Sequence, residues 1–293
     1  MPGGKKTKVQ KLRAAASVRS INDFKYQMRH FDRPNIVAEG DSWFEYPGKW
    51  GFRPGNIIDH IQKWTEGKVN LLRLGSSGDE ATEMLSRKQR HRMSKLLHET
   101  AKSARPVDLL LFSAGGNDVV GEWDLVRFLR PYQAGVPIEK LFHKARLDQK
   151  LKQIELAYRE LMTIRNHYSA STIIVSHTYD CVIPSDIGVR IFGRNILGPW
   201  IKPALDDAGF PKGAVQRKAA RYLLERLRST LLALESSSEA RGRFLVADTH
   251  GLVNDNQWRN EIHPTSKGFK PVAEKVYGKM RAAVSGLPKR PKN

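Results

Sequence analysis

The sequence is poor in cysteine, in long apolar runs and, over its first 20 residues, in acidic side chains. Its one cysteine, Cys181, excludes an internal disulfide and fits a reducing compartment, so the expected location is the cytoplasm. No local signature makes Cys181 a nucleophile, and it reads as a structural thiol. No stretch approaches the run of about 18 apolar residues that a membrane-spanning helix needs. The segment MPGGKKTKVQKLRAAASVRS carries no apolar run behind its basic residues and does not read as a secretory signal. The nine histidines are scattered, without an HExxH pattern or a tight His/Asp cluster, so no metal and no cofactor are expected.

Positive charge, by contrast, is abundant. Lys and Arg number 50 against 30 Asp and Glu, a formal net charge of +20. Part of it lies at the ends, in Lys5, Lys6, Lys8, Lys11, Arg13 and Arg19, and in Lys289, Arg290 and Lys292. Such a field attracts polyanions or an anionic lipid surface, although no specific nucleic-acid motif accompanies it. Residues 1–33 read as a basic, flexible extension, 34–285 as the folded domain and 286–293 as a basic tail.

Within 34–285 short apolar runs alternate with helical periodicity. The runs at 35–42, 69–75, 107–114, 172–178 and 243–249 have the length and β-branched content of buried strands. Helical patterns cover 54–64, with Pro54 in the first turn, then 79–100, 149–167, 214–235 and 265–284. That rhythm implies an α/β fold, a parallel sheet of five strands covered by helices on both faces. Two longer connections, 119–148 and 181–213, break it as insertions. The second is rich in Ile, Val, Leu and Trp around Arg190, Arg194 and Lys202. It reads as a buried excursion, an apolar cap over a cleft or a surface-binding segment, and whether it moves as a lid stays open.

In an open parallel sheet, ligands bind beyond the carboxyl ends of the strands. Those ends carry Gly40-Asp41-Ser42-Trp43, Gly75-Ser76-Ser77-Gly78-Asp79, Gly115-Gly116-Asn117-Asp118 and, near the C-terminus, Asn260-Glu261-Ile262-His263. Each segment alone is an ordinary turn. In this order they resemble the four blocks of the SGNH (GDSL-type) hydrolase family, over roughly residues 35–285. The resemblance implies a three-layer α/β/α, flavodoxin-like fold and a serine esterase or lipase. It implies Ser42 as nucleophile and His263 as base. The backbone N–H groups of Ser42 and Gly78, with the Asn117 side-chain amide, would form the oxyanion hole. These residue types suit acyl transfer. A serine hydroxyl needs an imidazole to take its proton, and the tetrahedral intermediate needs donors already aimed at its oxyanion. Asp79 and Asp118 read as loop braces.

One position departs from the family pattern. The aspartate expected three residues before the histidine is Asn260. In a serine protease that exchange lowers turnover by about 10⁴, because the amide favours the wrong imidazole tautomer. Three readings follow: Asn260 itself orients His263, a carboxylate among Glu261, Asp255 and Asp248 replaces it, or a backbone carbonyl serves. The expected function is hydrolysis of a small-molecule or lipid ester through an acyl-serine, with carbohydrate deacetylase and lysophospholipase activities within the same class. The alternatives are a basic polyanion- or membrane-binding protein on an inactive hydrolase scaffold, and an acyltransferase using the same residues.

Overall fold

All five apolar runs are strands of one sheet. The computed structural model describes residues 7–46, 54–76, 80–81, 87–103, 105–191 and 194–291. Strands β1 (Asn35–Gly40), β2 (Asn70–Arg73), β3 (Leu109–Ser113), β4 (Ile173–His177) and β7 (Phe244–Ala247) lie in the order β2-β1-β3-β4-β7, every pair parallel. Strands β1 and β3 are buried at every residue, as a sheet covered on both faces requires. The helices Ile57–Thr65 and Ser266–Ala283 pack together, and Arg87–Ala101, Lys144–Tyr168 and Ala214–Leu234 pack side by side. With right-handed crossovers, these two groups cover opposite faces and complete the α/β/α layers.

Several boundaries differ from the sequence expectation. Pro54 lies ahead of its helix, which starts at Ile57 because Asn56 caps it, its side chain accepting the Asp59 N–H at 2.9 Å. Residues 79 and 82–86 of the expected 79–100 helix lie outside the described residues. The basic segment before residue 34 is not a loose extension over its described part. It forms helices Lys8–Ala14 and Ile21–His30, capped by Thr7 and Ser20, that bury Leu12, Phe24 and Met28, with Phe31 buried just after the second. Between them Val18 bonds to both sides of Leu72, through Leu71 O (2.8 Å) and Arg73 N–H (2.9 Å), and so continues the sheet beyond β2. At the other end Leu287 is buried and the Pro288 carbonyl accepts the Tyr277 hydroxyl at 2.7 Å, which docks the start of the tail.

Both insertions are ordered into elements. Residues 119–148 contain the helix Glu122–Phe128 and the 3₁₀ turn Ile138–Leu141, anchored by buried Leu125, Phe128 and Phe142. Residues 181–213 contain an antiparallel hairpin, β5 (Val189–Ile191) and β6 (Arg194–Leu197), followed by the helix Lys202–Asp207. Ile201, Leu205 and Phe210 root this insertion in the core, while Leu197 on the hairpin is 61% exposed.

Arg165 ties the far side of the sheet together. Its side chain is fully buried and donates to the carbonyls of Thr172 (2.9 Å), Arg243 (2.8 Å), Glu239 (3.3 Å) and Ala240 (3.0 Å), joining the entries to β4 and β7. Burial and the neighbouring Arg243 and Arg241 charges lower its pKa to about 10. Arg165→Ala leaves a cavity and several buried carbonyls without donors. It should lower the unfolding free energy by about 3 kcal/mol. Urea titration at unchanged slope would read this, and a loss under about 1 kcal/mol would mean that those carbonyls find other partners.

Candidate active site

Between β1 and β3 the chain reverses its direction of travel across the sheet, and the crevice at their carboxyl ends is where such folds bind ligands. Ser42 sits there, as the first residue of the helix Ser42–Glu45 that follows β1 directly. So abrupt a turn requires glycine at position 40. A Cβ on Gly40 would lie 2.6 Å from Phe44 Cδ2 and 2.9 Å from Ser113 Cβ. Asp41 caps the helix by accepting the Trp43 N–H at 2.9 Å. From the end of β2, Arg73 grips the other end, donating to Phe44 O (3.0 Å), Glu45 Oε1 (3.0 Å) and Asp59 Oδ1 (2.7 Å).

A buried polar cluster supports Asp41 from behind. The Ser113 hydroxyl is 3.0 Å from Asp41 Oδ1 and 2.9 Å from His177 Nε2, and the Tyr179 hydroxyl donates to Asp41 Oδ2. His177 is fully buried, and desolvation lowers its pKa to about 4, so its ring is neutral near pH 7. Its Nδ1 faces the Thr178 carbonyl at 2.7 Å and must carry the proton, which makes Nε2 a second acceptor, beside Asp41 Oδ1, for the single Ser113 hydroxyl proton. The Tyr179 ring also packs under Gly116, where a Cβ would come within 2.7 Å of it. A single side chain thus braces the residue before Ser42 and the residue before Asn117.

His263 reaches Ser42 from the loop ahead of the last helix. Its Nε2 is 2.8 Å from Ser42 Oγ, and its Nδ1 is 3.0 Å from Asn260 Oδ1. The Asn260 oxygen also accepts the backbone N–H groups of Ile262 (3.2 Å) and His263 (2.8 Å). Two backbone donors on that atom determine which end of the amide faces the ring. An NH₂ group there would meet two N–H groups head on. The Asn260 amide nitrogen instead points to the Tyr46 hydroxyl at 3.4 Å. His263 therefore carries its proton on Nδ1 and presents a lone pair on Nε2 to the Ser42 hydroxyl. The ring is 3% exposed, with the Tyr46 ring tilted against it and Trp200 edge-on, at centroid distances of 4.1 and 5.9 Å. Burial, with a smaller contribution from the Arg259 charge, lowers its pKa to about 3.

The other candidates fall as follows. Asn117 lies in the helix Gly116–Val120 at the end of β3, whose Ser113 pairs in register with Gly40 of β1. Gly78 and Asp79 lie outside the described residues. Asp118 is buried and accepts the Ala81 N–H at 2.8 Å, tying the Asn117 loop to the segment that follows Gly78; burial raises its pKa to about 7. The three carboxylates weighed as partners of His263 are engaged elsewhere. Asp248 pairs with Arg228 at 2.6 Å, Asp255 with Arg217 at 2.6 Å, and Glu261 accepts backbone N–H groups of 185–202.

Sequence reading missed Tyr46, Ser113, His177, Tyr179 and the bracing role of Asp41. Only Asp41 carried a usable signal, a capping residue at a strand-to-helix turn.

One cluster among the described residues offers metal-type donors. Atoms of Asp180, Cys181 and His250 lie within 4.8 Å of one another. The Asp180 carboxylate already accepts the N–H groups of Cys181 (2.6 Å), Gly251 (2.7 Å) and Val253 (2.6 Å). Burial and Asp180 push the Cys181 thiol up to about 11, so it is protonated near pH 7. The cluster is built as a turn.

No protein-family model matches the chain, and no curated protein matches it. Solved structures do. A lipase, Lip_vut3, from a goat rumen metagenome superposes at a TM-score of 0.50 with 17% identity, over 85% of this chain and 97% of that one. Phospholipase A1 from Streptomyces albidoflavus NA297 gives 0.48 at 13% identity, over 86% and 100%. The extracellular lipase from Streptomyces rimosus gives 0.47, also at 13% identity and over 86% and 100%. At these identities the likeness concerns architecture, and the goat-rumen structure shows that this chain has the three-layer α/β/α fold of that lipase.

Proposed function

We propose that the protein is a serine ester hydrolase of the esterase/lipase type, cleaving carboxylic esters through an acyl-serine intermediate. The observation that carries this reading is the line Asn260–His263–Ser42, with links of 3.0 and 2.8 Å and the proton held on Nδ1. In the first step Nε2 takes the hydroxyl proton as Ser42 Oγ attacks the ester carbonyl. The oxyanion would be met by the N–H groups of Ser42 and Gly78 and by the Asn117 amide. His263 then returns the proton to the leaving alcohol, and water enters by the same route to release the acid.

Asn260 resolves the tautomer problem but supplies no negative charge for the imidazolium that forms in between. The Tyr46 face at 4.1 Å gives partial compensation. The low pKa of His263 makes it a weak base that is available over a wide pH range.

A shared fold does not choose a substrate. Lipid-like esters are favoured by the exposed Leu197 and Ile187 on the insertion beside the site, and carbohydrate acetates are the main competitor. The +20 charge would draw the enzyme to anionic lipid or another polyanion, and its unpaired Cys181 suits the cytoplasm.

A p-nitrophenyl ester series from acetyl to dodecanoyl should be hydrolysed by the wild type. Ser42→Ala and His263→Ala should each lose on the order of 10³-fold or more in kcat. No turnover by the wild type and no fluorophosphonate labelling of Ser42 would overturn the assignment.

The pH profile tests the base. Because His263 lies near 3, kcat/KM should hold well below pH 6.5 and show no histidine limb there. In Asn260→Asp the new carboxylate favours the imidazolium and should move the acid limb up by a pH unit or more. An unmoved limb would show that residue 260 does not act on His263 in solution. A limb near pH 7 that vanishes in Asp118→Asn belongs to Asp118.

A further inference from the structure

Glu261 stands two residues before His263 in the sequence and is fully buried. Its Oε1 accepts the backbone N–H groups of Ser185 (3.2 Å) and Lys202 (2.7 Å), and its Oε2 accepts those of Trp200 (2.5 Å) and Ile201 (2.7 Å). Its own N–H donates to Ile187 O at 3.0 Å, and its carbonyl accepts the Ile183 N–H at 3.3 Å. One residue therefore bonds to both ends of the hairpin that carries β5 and β6. Burying a carboxylate is costly unless donors surround it, and here both oxygens are supplied by N–H groups alone. Three of those donors come from residues 200–202, where the helix Lys202–Asp207 begins without a side-chain cap and cannot use its first N–H groups itself. A second lock lies alongside, with the Lys202 ammonium between Asp186 (2.9 Å) and Asp206 (2.6 Å).

The same clamp joins the hairpin to the proposed catalytic base. Trp200, whose N–H is held by Glu261, stands edge-on to the His263 ring, with ring centroids 5.9 Å apart, and is only partly buried. Between the two residues, Ile262 O accepts the Trp43 indole N–H at 3.2 Å, so the loop is held on the nucleophile side as well. A segment tied in this way moves with His263 or not at all.

We propose that Glu261 is a positioning residue that fixes residues 183–187 and 200–202, the two ends of the insertion, so that Trp200 stands as a rigid wall of the Ser42 site, and that this wall sets the selectivity for acyl-chain length. The proposal rests on the ester-hydrolase reading. Glu261→Gln keeps the shape but turns an NH₂ group toward one pair of backbone donors, and Trp200→Ala removes the wall while leaving the clamp.

The readout is the ratio of kcat/KM for octanoyl over acetyl p-nitrophenyl esters, measured with Ser42 labelling by a fluorophosphonate to count competent sites. Both variants should change this ratio by about tenfold or more relative to wild type, with Ser42 still labelled. A purely structural role for Glu261 would scale both esters alike, and an unchanged ratio in Glu261→Gln overturns the proposal. Should that variant fail to fold, an unchanged ratio in Trp200→Ala overturns it instead. A wild type that neither turns over nor labels refutes the hydrolase reading itself. An active wild type with unmoved ratios refutes only the wall.

Discussion

The site depends on one oxygen atom. Asn260 Oδ1 accepts three hydrogen bonds, two from the backbone of its own loop and one from the His263 ring. The backbone donors orient the amide, the amide orients the imidazole, and the imidazole presents its lone pair to Ser42. An asparagine in this position would ordinarily be free to flip, with nearly equal shape either way. Here the flip would set two N–H groups against an NH₂. The chain thus obtains from loop geometry what an aspartate obtains from charge, and it forgoes the charge.

Around that atom the architecture is a set of buried polar groups whose partners come from distant segments. Asp41 is held by Ser113 and Tyr179, the helix bearing Ser42 by Arg73, and the loop bearing His263 by Trp43 and the 183–202 backbone. In a low-dielectric interior such groups are costly when unpaired and rigid when paired. The residues expected to do chemistry are therefore fixed to the sheet ends by bonds that do no chemistry themselves.

The sheet and the blocks at its strand ends were legible in the sequence because both are local signals. Apolar runs such as 107–114 name a buried strand, and glycine-rich turns after them name the rim of a parallel sheet. The partner of His263 was open for a physical reason. Asn260, Glu261, Asp248 and Asp255 are all within reach of the ring by sequence distance, and only the backbone path of residues 258–264 separates them. Glu261 was weighed for the wrong task because its donors lie some sixty residues earlier, in an insertion without a recognisable pattern. The N-terminal helices were harder to read because Phe24 and Met28, spaced as one helical face behind the capping Ser20, stand among lysines and arginines that equally suit a solvated tail. The pairing of Val18 with β2 left no local mark at all.

That last pairing bears on how the protein avoids sticking to itself. The outer edge of β2 is half of a ladder, and an uncovered ladder accepts any extended chain, including one from a second molecule. Val18 occupies it with two hydrogen bonds, and the flanking helices bury their apolar faces against the same region. The basic N-terminal stretch is thus a guard on the sheet's open side. Trimming the chain back to residue 34 would uncover the core surface that Phe24 and Met28 now cover and expose a template for edge-to-edge association.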